Sequence, residues 1–329
     1  MSLLPWLEPL LPAVLRGLRG HALMLHGPAA AGQLELALAV AQAWLCEAPQ
    51  ADATACGQCA ACALVRSRTH PDLRVLVPEA LAETLGWALP SEGDTASSKA
   101  KPSKDIRVEA LRAAIEFAQQ TSSRGQAQVV LIHPAERMNA VSANTLLKTL
   151  EEPPGLARFI LCTGAPDRLL PTLRSRCQLV SLPGAPRDQA LAWLGAQGVD
   201  APEVLLDAAG GLPLAALELH RLGVRPEAWT RLPRALAAGE VGAVAGWSVP
   251  MLVDALSRCC EDGLRLAVGG TPRYFTPAAW TGLQPRLAPL LAWHAELKRV
   301  ARHDEHPWNA GLTTESLVSG ASRALHCAG

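Results

Sequence analysis

The segment 26–37, HGPAAAGQLELA, restricts the possible fold of this chain more than any other stretch. The apolar run before it, 22–25, predicts a buried strand, and the residues after it, 34–45, have the pattern of a helix. Gly27 and Gly32 have the spacing of a P-loop, in which a glycine-rich turn and a helix N-terminus surround a phosphate group. Such a strand–loop–helix unit is typical of a parallel sheet, because parallel strands need helical crossovers.

The side chains that give a P-loop its chemistry are missing from this loop. Gln33 and Leu34 occupy the positions of the lysine that contacts phosphate and of the hydroxyl residue that binds Mg²⁺. After the apolar run at 129–132, His133 and Pro134 stand where a nucleotide-hydrolysing protein needs an acidic pair. Each lost charge-assisted contact is worth about 1.5 to 3 kcal/mol, so nucleotide affinity should fall at least roughly a thousandfold. We therefore expect no functional ATP binding, with residual binding through the loop amides as the alternative.

Short apolar runs alternate with helical patterns through the first half of the chain. We predict strands at 22–25, 73–77, 129–132, 159–162 and 179–182. The alternation indicates an α/β fold, a parallel sheet flanked by helices. After Pro183 the strand patterns stop, and the rest predicts helices separated by Gly and Pro, with 287–301 among the clearest. The polar segment 91–104 predicts a surface loop, and Asp105 is expected to cap the next helix.

The charge balance argues against a general attraction to nucleic acid. Thirty basic and thirty acidic side chains give the 329-residue chain a formal net charge of zero, so any contact with DNA must be local. No apolar stretch of the sequence reaches the roughly 18 to 20 residues that a membrane span needs. The apolar start, 1–18, lacks a basic n-region and carries Glu8, which favours part of the fold over a signal peptide. We expect a cytoplasmic protein without a membrane partner.

Four of the nine cysteines, Cys46, Cys56, Cys59 and Cys62, follow the spacing C-x9-C-x2-C-x2-C. These spacings predict a closed four-cysteine zinc site, with three ligands in one tight loop and one at the end of the preceding helix. An iron–sulfur run would need a further cysteine and a proline after it, and a disulfide set is unusual in the cytoplasm. Because thiolates fill every position, no site is left for a catalytic water, and the zinc should be structural. The other cysteines are expected to be small buried residues.

The segment that follows the fourth apolar run contains Arg174 and Arg176 on either side of Ser175. These arginines could form surface salt bridges, or Arg176 could present its guanidinium to a phosphate on a neighbouring subunit. On an extended segment, residues two apart share a face, so both side chains are expected to point the same way. Upstream, ANTLLKTLEEPPG at 143–155 predicts an amphipathic helix that ends at its two prolines.

The order of several motifs carries a family resemblance. HALMLHGPAAAG, the four-cysteine segment, THPDLRVLVPE, LLKTLEEPPG and LRSRC succeed one another between Pro5 and Cys177. In this order they resemble the delta-prime family of clamp-loader subunits of bacterial DNA polymerase III, which are AAA+ proteins. The resemblance implies an AAA+ nucleotide-binding-like domain over 1–182 with a zinc module inserted at 46–62, a small helical lid over 183–224, and a helical collar over 225–329.

The resemblance also implies a role for the SRC motif, which Ser175, Arg176 and Cys177 match. In the family this arginine serves the ATP site of the adjacent gamma/tau subunit, so Arg176 would be a catalytic arginine finger acting in trans. The ATP-hydrolysing relatives carry a full P-loop, an acidic pair and a small-domain arginine, whose place is taken here by Pro213. Three nucleotide-contacting elements are therefore lost while Arg176 remains, which implies a subunit without intrinsic ATPase activity.

The implied partners are the gamma/tau and delta subunits in a hetero-pentameric ring, the beta sliding clamp, and primed DNA through the assembled complex. The resemblance does not fix the ring order, or whether this chain itself contacts clamp or DNA. One rival is an autonomous AAA+ ATPase of the gamma/tau type with a degenerate P-loop, against which Gln33, Leu34 and His133 argue. Another is a zinc-dependent binder of nucleic acid, which the neutral charge and the absence of basic residues at 57–61 disfavour.

Overall fold

The computed structural model describes residues 3–87, 102–302 and 309–326. The chain forms two compact units, Met1–Gly184 and Ala185–Gly329. Most of the surface loop predicted at 91–104, namely 91–101, lies outside the described residues. Within the described ranges, no helix has both the length and the apolar composition that spanning a bilayer requires.

A parallel sheet forms the centre of the first unit. Its strands, among the described residues, are β1 (Ala22–His26), β2 (Leu73–Leu76), β3 (Gln128–Ile132), β4 (Ala157–Thr163) and β5 (Gln178–Ser181). They lie in the order β2-β3-β4-β1-β5, and every neighbouring pair is parallel. Each strand contains most of one predicted apolar run, so the parallel sheet expected from the sequence is confirmed.

Helices connect the strands of this unit. Those described are α1 (Leu10–Gly17), α2 (Gln33–Leu45), α3 (Ala60–Arg66), α4 (Glu79–Leu85), α5 (Val108–Gln119), α6 (Ala140–Glu151) and α7 (Pro171–Arg174). The prediction that Asp105 caps the helix after it is wrong, because α5 begins at Val108 and its N-cap residue is Arg107. Asp105 lies instead in a turn, where its carbonyl accepts a hydrogen bond of 2.9 Å from the Ser103 hydroxyl.

Helices cover both faces of the sheet. Alternate residues of each strand point to opposite faces, so each face contributes its own set of side chains to the packing. On one face Met24, Val130 and Phe159 share a buried cluster with side chains of α5 and α6 such as Leu111 and Leu146. On the other face α2 packs against β1, β3 and β4. All residues of β3 are buried, as expected for a strand covered from both sides.

The second unit is helical in its described residues. Its helices are α8 (Arg187–Ala196), α9 (Pro202–Ala208), α10 (Pro213–Arg221), α11 (Pro226–Ala237), α12 (Val249–Ala267), α13 (Leu287–Arg302) and α14 (Ala310–Leu325). The helix predicted at 287–301 is therefore confirmed. Buried side chains from Ala190 to Leu325 form one core cluster. The division of this unit into a lid over 183–224 and a collar over 225–329 stays a prediction.

A buried carboxylate, that of Asp262 on α12, organises a loop of the second unit. Its oxygens accept hydrogen bonds from the backbone amides of Arg273, Tyr274 and Phe275, at 2.6, 2.8 and 2.9 Å. Burial raises the pKa of Asp262, and the three amides offset part of this shift because they stabilise the ionised form. The loop in turn holds the Phe275 ring against Trp229, with ring centroids 4.9 Å apart.

We predict that Asp262→Asn destabilises the second unit, because an amide group would face the loop N–H groups with one accepting oxygen fewer. Each buried donor left without a partner costs about 1 to 3 kcal/mol. Urea unfolding followed by tryptophan fluorescence measures the loss. Asp254→Asn on the same helix is the control, since the Asp254 side chain is 56% exposed and an i,i+4 helix pair such as that with Arg258 is worth only about 0.3 to 0.5 kcal/mol. Equal losses in the two variants would contradict the prediction.

Candidate functional site

The glycine-rich loop after β1 is closed by a side chain of its own. Gln33, which is buried, donates from Nε2 to the carbonyl oxygens of Gly27 at 3.1 Å and of Pro28 at 2.7 Å. Leu34 is buried beside it. The position that carries a phosphate-contacting lysine in a P-loop therefore carries a neutral group that binds the loop backbone.

Apolar side chains pack against the last glycine of this loop. Gly32 has a φ of 101°, in the left-handed region that favours glycine. A Cβ atom at Gly32 would lie 2.7 Å from Leu7 Cδ1 and 2.9 Å from Leu4 Cδ1. Position 32 therefore requires glycine for two reasons, its left-handed backbone conformation and the close approach of the leucines that precede α1.

The position of the missing acidic pair is occupied by a neutral, half-buried histidine. His133 follows β3, and burial lowers its pKa to about 4, although the nearby Glu136 opposes this shift. Its Nδ1 atom is buried and has no hydrogen-bond partner among the described residues. Glu136 Oε1 accepts a hydrogen bond of 3.0 Å from the amide of Gly164, which follows β4. Among the described residues, His133 and Glu136 thus stand at this edge of the sheet, where an Mg²⁺-binding acidic pair would follow β3 in a nucleotide-hydrolysing protein.

The four spaced cysteines come together as a cluster that can hold a metal ion. The sulfur atoms of Cys46, Cys56, Cys59 and Cys62 all lie within 4.8 Å of one another. Cys46 directly follows α2, as predicted, but Cys62 lies within α3 rather than in the loop. Several backbone amides point at the sulfurs, including Cys56 N to Cys46 Sγ at 3.3 Å and Cys59 N to Cys56 Sγ at 3.3 Å. Amides aimed at sulfur stabilise thiolates, the form that binds metal.

Ionisation differs among these thiols. Burial opposes ionisation of Cys59, but the amide of Cys62 and further donors outweigh it and lower the pKa of Cys59 to about 6. For Cys62, burial and the neighbouring Cys59 sulfur raise the pKa to about 12. Crowded sulfur atoms cannot all carry a negative charge unless a cation compensates them. The cluster therefore has the donor set and the electrostatic need that a thiolate-binding metal ion satisfies.

Polar contacts connect the cysteine segment to the residues that precede β2 and β3. Asp72, which is buried, accepts hydrogen bonds from the amides of Ser123 at 2.7 Å and Arg124 at 3.1 Å. The Arg124 guanidinium in turn forms an ion pair with Glu47, the residue after Cys46, with Nε at 2.8 Å from Oε1. The cluster is thereby fixed to the amino ends of the strands.

The SRC motif forms a turn, so the prediction that Arg174 and Arg176 lie on an extended segment and share a face is wrong. Arg174 is the last residue of α7, and the amide of Cys177 donates to its carbonyl at 3.3 Å. Arg174 pairs with Asp167 at 3.1 Å, whereas Arg176 pairs with Glu151 at the end of α6. Cys177 is buried, which raises the pKa of its thiol to about 12. The Arg176 side chain remains 31% exposed.

The parallel register separates the SRC motif from the glycine-rich loop. Gln178, two residues after Arg176, pairs with Leu23 near the start of β1, and Ser181 pairs with His26 at its end. Arg176 therefore lies at the edge of the sheet where the strands begin, and the loop lies at the edge where they end. No sequence signal points to Glu151 as the partner of Arg176, because the two are 25 residues apart and no periodicity connects them.

Comparison with known proteins gives a consistent family. A family profile described as "DNA polymerase III, delta subunit" matches residues 11–186, more than half of the chain. The DNA polymerase III subunit delta-prime of Pseudomonas aeruginosa is 42% identical over 64% of this chain and 59% of its own length. That of Escherichia coli is 33% identical over 77% of this chain and 76% of its own. A solved gamma subunit-related protein of Thermotoga maritima overlays 96% of this chain and 98% of its own, at 15% identity and a TM-score of 0.49.

A parallel sheet with a P-loop-like turn after β1 and helices on both faces defines an α/β protein of the P-loop type, and a helical unit follows it along the chain. The chain belongs to the delta-prime family of DNA polymerase III subunits. The alignment with the P. aeruginosa relative spans less than two thirds of that protein.

Because desolvation lowers the pKa of His133, we predict that the stability of the chain depends on pH through this residue. A variant without the imidazole measures its contribution. Its folded-state pKa of about 4 lies below the ordinary value near 6.5, so the unfolded chain binds more protons between these values. Stability that is present above about pH 6.5 is lost as the pH falls toward 4. We expect His133→Gln to lose less stability over this window, by on the order of 2 kcal/mol.

Urea unfolding at pH 7 and pH 4.5 measures this difference. His326→Gln, at an exposed position, is the matched control for loss of an imidazole, and it should follow the unmodified chain at both pH values. If His133→Gln also follows the unmodified chain, the imidazole contributes nothing to the pH dependence.

Proposed function

We propose that this chain is a non-hydrolysing subunit of a sliding-clamp loader, and that Arg176 acts in trans as an arginine finger. The ATP would be bound by an adjacent gamma/tau subunit. The other partners in this proposal are the delta subunit, the beta sliding clamp, and primed DNA held by the assembled complex. Family membership supports the clamp-loader setting, and the chain's own residues supply the argument for the division of roles.

The observation that carries the proposal is the contrast between the two edges of the sheet. At one edge, Gln33 closes the glycine-rich loop with two hydrogen bonds, and His133 is neutral in the acidic position. At the other edge, Arg176 keeps a partly exposed guanidinium. The length of a strand separates Arg176 from its own glycine-rich loop, which supports the proposal that its guanidinium acts on a phosphate of another molecule.

The chemistry of this role is electrostatic. Negative charge spreads over the γ-phosphate oxygens as ATP is hydrolysed, and an inserted guanidinium stabilises that charge. In GTPases such an arginine is worth about 10³ to 10⁵ in rate. The chain contributes the cation alone, and the neighbouring subunit contributes the P-loop, the metal ion and the attacking water. The same contact would tighten the interface only while phosphate is present, which gives the ring a means of sensing ATP.

We further propose that the cysteine cluster holds a structural zinc ion. Thiolate sulfurs at the four positions are the ligand set of closed zinc sites, and amide N–H groups already point at three of them, those of Cys46, Cys56 and Cys59. When bound, zinc would supply the charge that holds four thiolates together. Its position between the end of α2 and α3 would order an insertion that is too short to form a core of its own.

The zinc proposal predicts one zinc per chain in protein purified without chelator, measured by elemental mass spectrometry. Cys59→Ser should abolish the metal content while the far-ultraviolet circular dichroism of the sheet persists, because the cluster orders only the insertion. Cys162→Ala, which removes a buried thiol of β4 outside the cluster, is the control and should keep the zinc. Purified chain that is folded but free of zinc would exclude the proposal.

For the arginine finger, we predict that Arg176→Ala leaves the folding of the isolated chain almost unchanged, because an exposed ion pair contributes only about 0 to 1 kcal/mol. In the complex reconstituted with gamma/tau, delta and beta, the same variant should lower clamp- and DNA-stimulated ATP hydrolysis at the adjacent site. Arg176→Lys should rescue poorly, since an ammonium is a point charge and cannot make the two-pronged guanidinium contact.

Arg174→Ala is the matched control, because it removes a nearby arginine that pairs with Asp167 instead. Thermal melts of the isolated variants are compared with the ATPase and clamp-loading rates of the assemblies. A stable Arg176→Ala chain that supports full rates would mean that Arg176 is an ordinary surface arginine, and a collapsed melt would mean that its role is structural.

An autonomous ATPase of the gamma/tau type remains the main alternative function. Calorimetric titration of the isolated chain with Mg·ATP separates the two, since the proposed role expects no micromolar binding. A zinc-dependent nucleic-acid binder is the second alternative. It would require strong, salt-sensitive DNA binding by the isolated chain, which its formal net charge of zero does not favour.

A further inference from the structure

The guanidinium of Arg176 is held by two groups of its own chain. Glu151 Oε1 accepts a hydrogen bond of 2.7 Å from Nε and a further one from Nη2. The carbonyl oxygen of Thr172, four residues earlier, accepts one of 2.8 Å from Nη1. The Ser175 hydroxyl lies 3.5 Å from Nη1, at the limit of a hydrogen bond. Both partners lie on the chain segments that immediately precede β4 and β5.

These contacts leave part of the guanidinium available. The group has five N–H bonds, and Glu151 and Thr172 engage one on each of its three nitrogens. One N–H on Nη2 remains, and the second N–H on Nη1 has only the Ser175 hydroxyl near it, at the limiting distance of 3.5 Å. Two donors on neighbouring nitrogens are what a bidentate contact with phosphate oxygens requires. Glu151 therefore fixes the group without occupying the donors that such a contact needs.

We infer that Glu151 is a positioning residue for Arg176, which holds the guanidinium so that its two remaining donors meet a phosphate on a neighbouring subunit. This inference rests on the proposed function of Arg176. A long side chain that is 31% exposed loses rotamer freedom when it is ordered. The ion pair with Glu151 orders the side chain when the chain folds. The entropy of ordering is therefore not lost again at association, and the arginine enters the neighbouring site already oriented.

Glu152, the next residue, provides a matched control. It carries the same charge in the same motif, and among the described residues its carboxylate has no ion pair with an arginine or lysine. Glu151→Gln and Glu152→Gln therefore remove equal charge, and only Glu151→Gln weakens the contact with Arg176. A thermal melt of each variant shows whether the fold is intact.

The contact itself is tested on the isolated chain, independently of any assembly. In nitrogen-15 NMR of the arginine Nε–H groups, the Arg176 signal is assigned by its loss in Arg176→Ala. Glu151→Gln should shift that signal and speed its exchange with water, and Glu152→Gln should leave it in place. An unmoved signal in Glu151→Gln would overturn the inference.

The functional consequence is tested in the reconstituted complex with gamma/tau, delta and beta. Glu151→Ala and Glu151→Gln should each lower the stimulated kcat for ATP by on the order of tenfold, as expected for a misplaced catalytic group. The KM for ATP should change little, because a finger acts on the transition state. Added to Arg176→Ala, Glu151→Ala should have no further effect, since it acts only through that arginine. Glu152→Gln should retain the full rate.

The outcomes separate the two proposals. If Arg176→Ala retains full activity, the arginine-finger function itself fails. If Arg176→Ala is impaired while Glu151→Ala and Glu151→Gln are not, the finger stands and the positioning role of Glu151 is wrong. Faster hydrolysis in the Glu151 variants would likewise overturn the inference, because it would mean that Glu151 competes with phosphate for the guanidinium.

Discussion

The parallel pairing of the strands is the constraint on which the rest of the first unit depends. When all strands of a sheet run the same way, every segment that follows a strand lies at one edge and every segment that precedes a strand lies at the other. The loop at Gly27, His133 and Gly164 therefore meet at the carboxyl ends. Glu151 and Arg176 meet at the amino ends, although they belong to different connections. Helices on both faces bury the central strands β1, β3 and β4, between these two edges.

Much of this architecture could be predicted from the sequence, because its signals are local. Continuous apolar runs mark strands that are buried on both faces, and the interval between them is long enough for a helical crossover. The order β2-β3-β4-β1-β5 could not be predicted from periodicity, since the apolar pattern of one strand does not show which strands pair with it. The cap expected at Asp105 and the extended conformation expected around Arg176 were both wrong because they depend on turn geometry. Propensity describes such turns poorly.

The residues of the candidate site, too, could be predicted only where their sequence signal is local. The four cysteines could be found from their spacing, because a metal site built from one short segment is a local feature. The hydrogen-bond partners of Gln33 are also local in sequence. The direction of its side chain was not evident, because a polar residue in a phosphate-binding loop can also face outward. The pairs Glu151–Arg176 and Glu47–Arg124 join segments that are 25 and 77 residues apart. Only the folded sheet brings them together, so sequence spacing carried no sign of them.

The packing around the glycine-rich loop also limits which substitutions the loop can accept. Introducing a P-loop lysine by Gln33→Lys would replace the neutral amide that closes the loop with a cation at a buried position, which costs stability while no phosphate is bound beside it. Leu34→Thr would bring a hydroxyl to a buried position and His133→Asp a charge to a half-buried one, at a cost in stability unless Mg²⁺ and ATP are already present. Leu4 and Leu7 press against Gly32 and would have to adjust at the same time. The packed leucines and the hydrogen bonds of Gln33 therefore tie these positions together, so that a substitution at one of them costs stability unless its neighbours change with it.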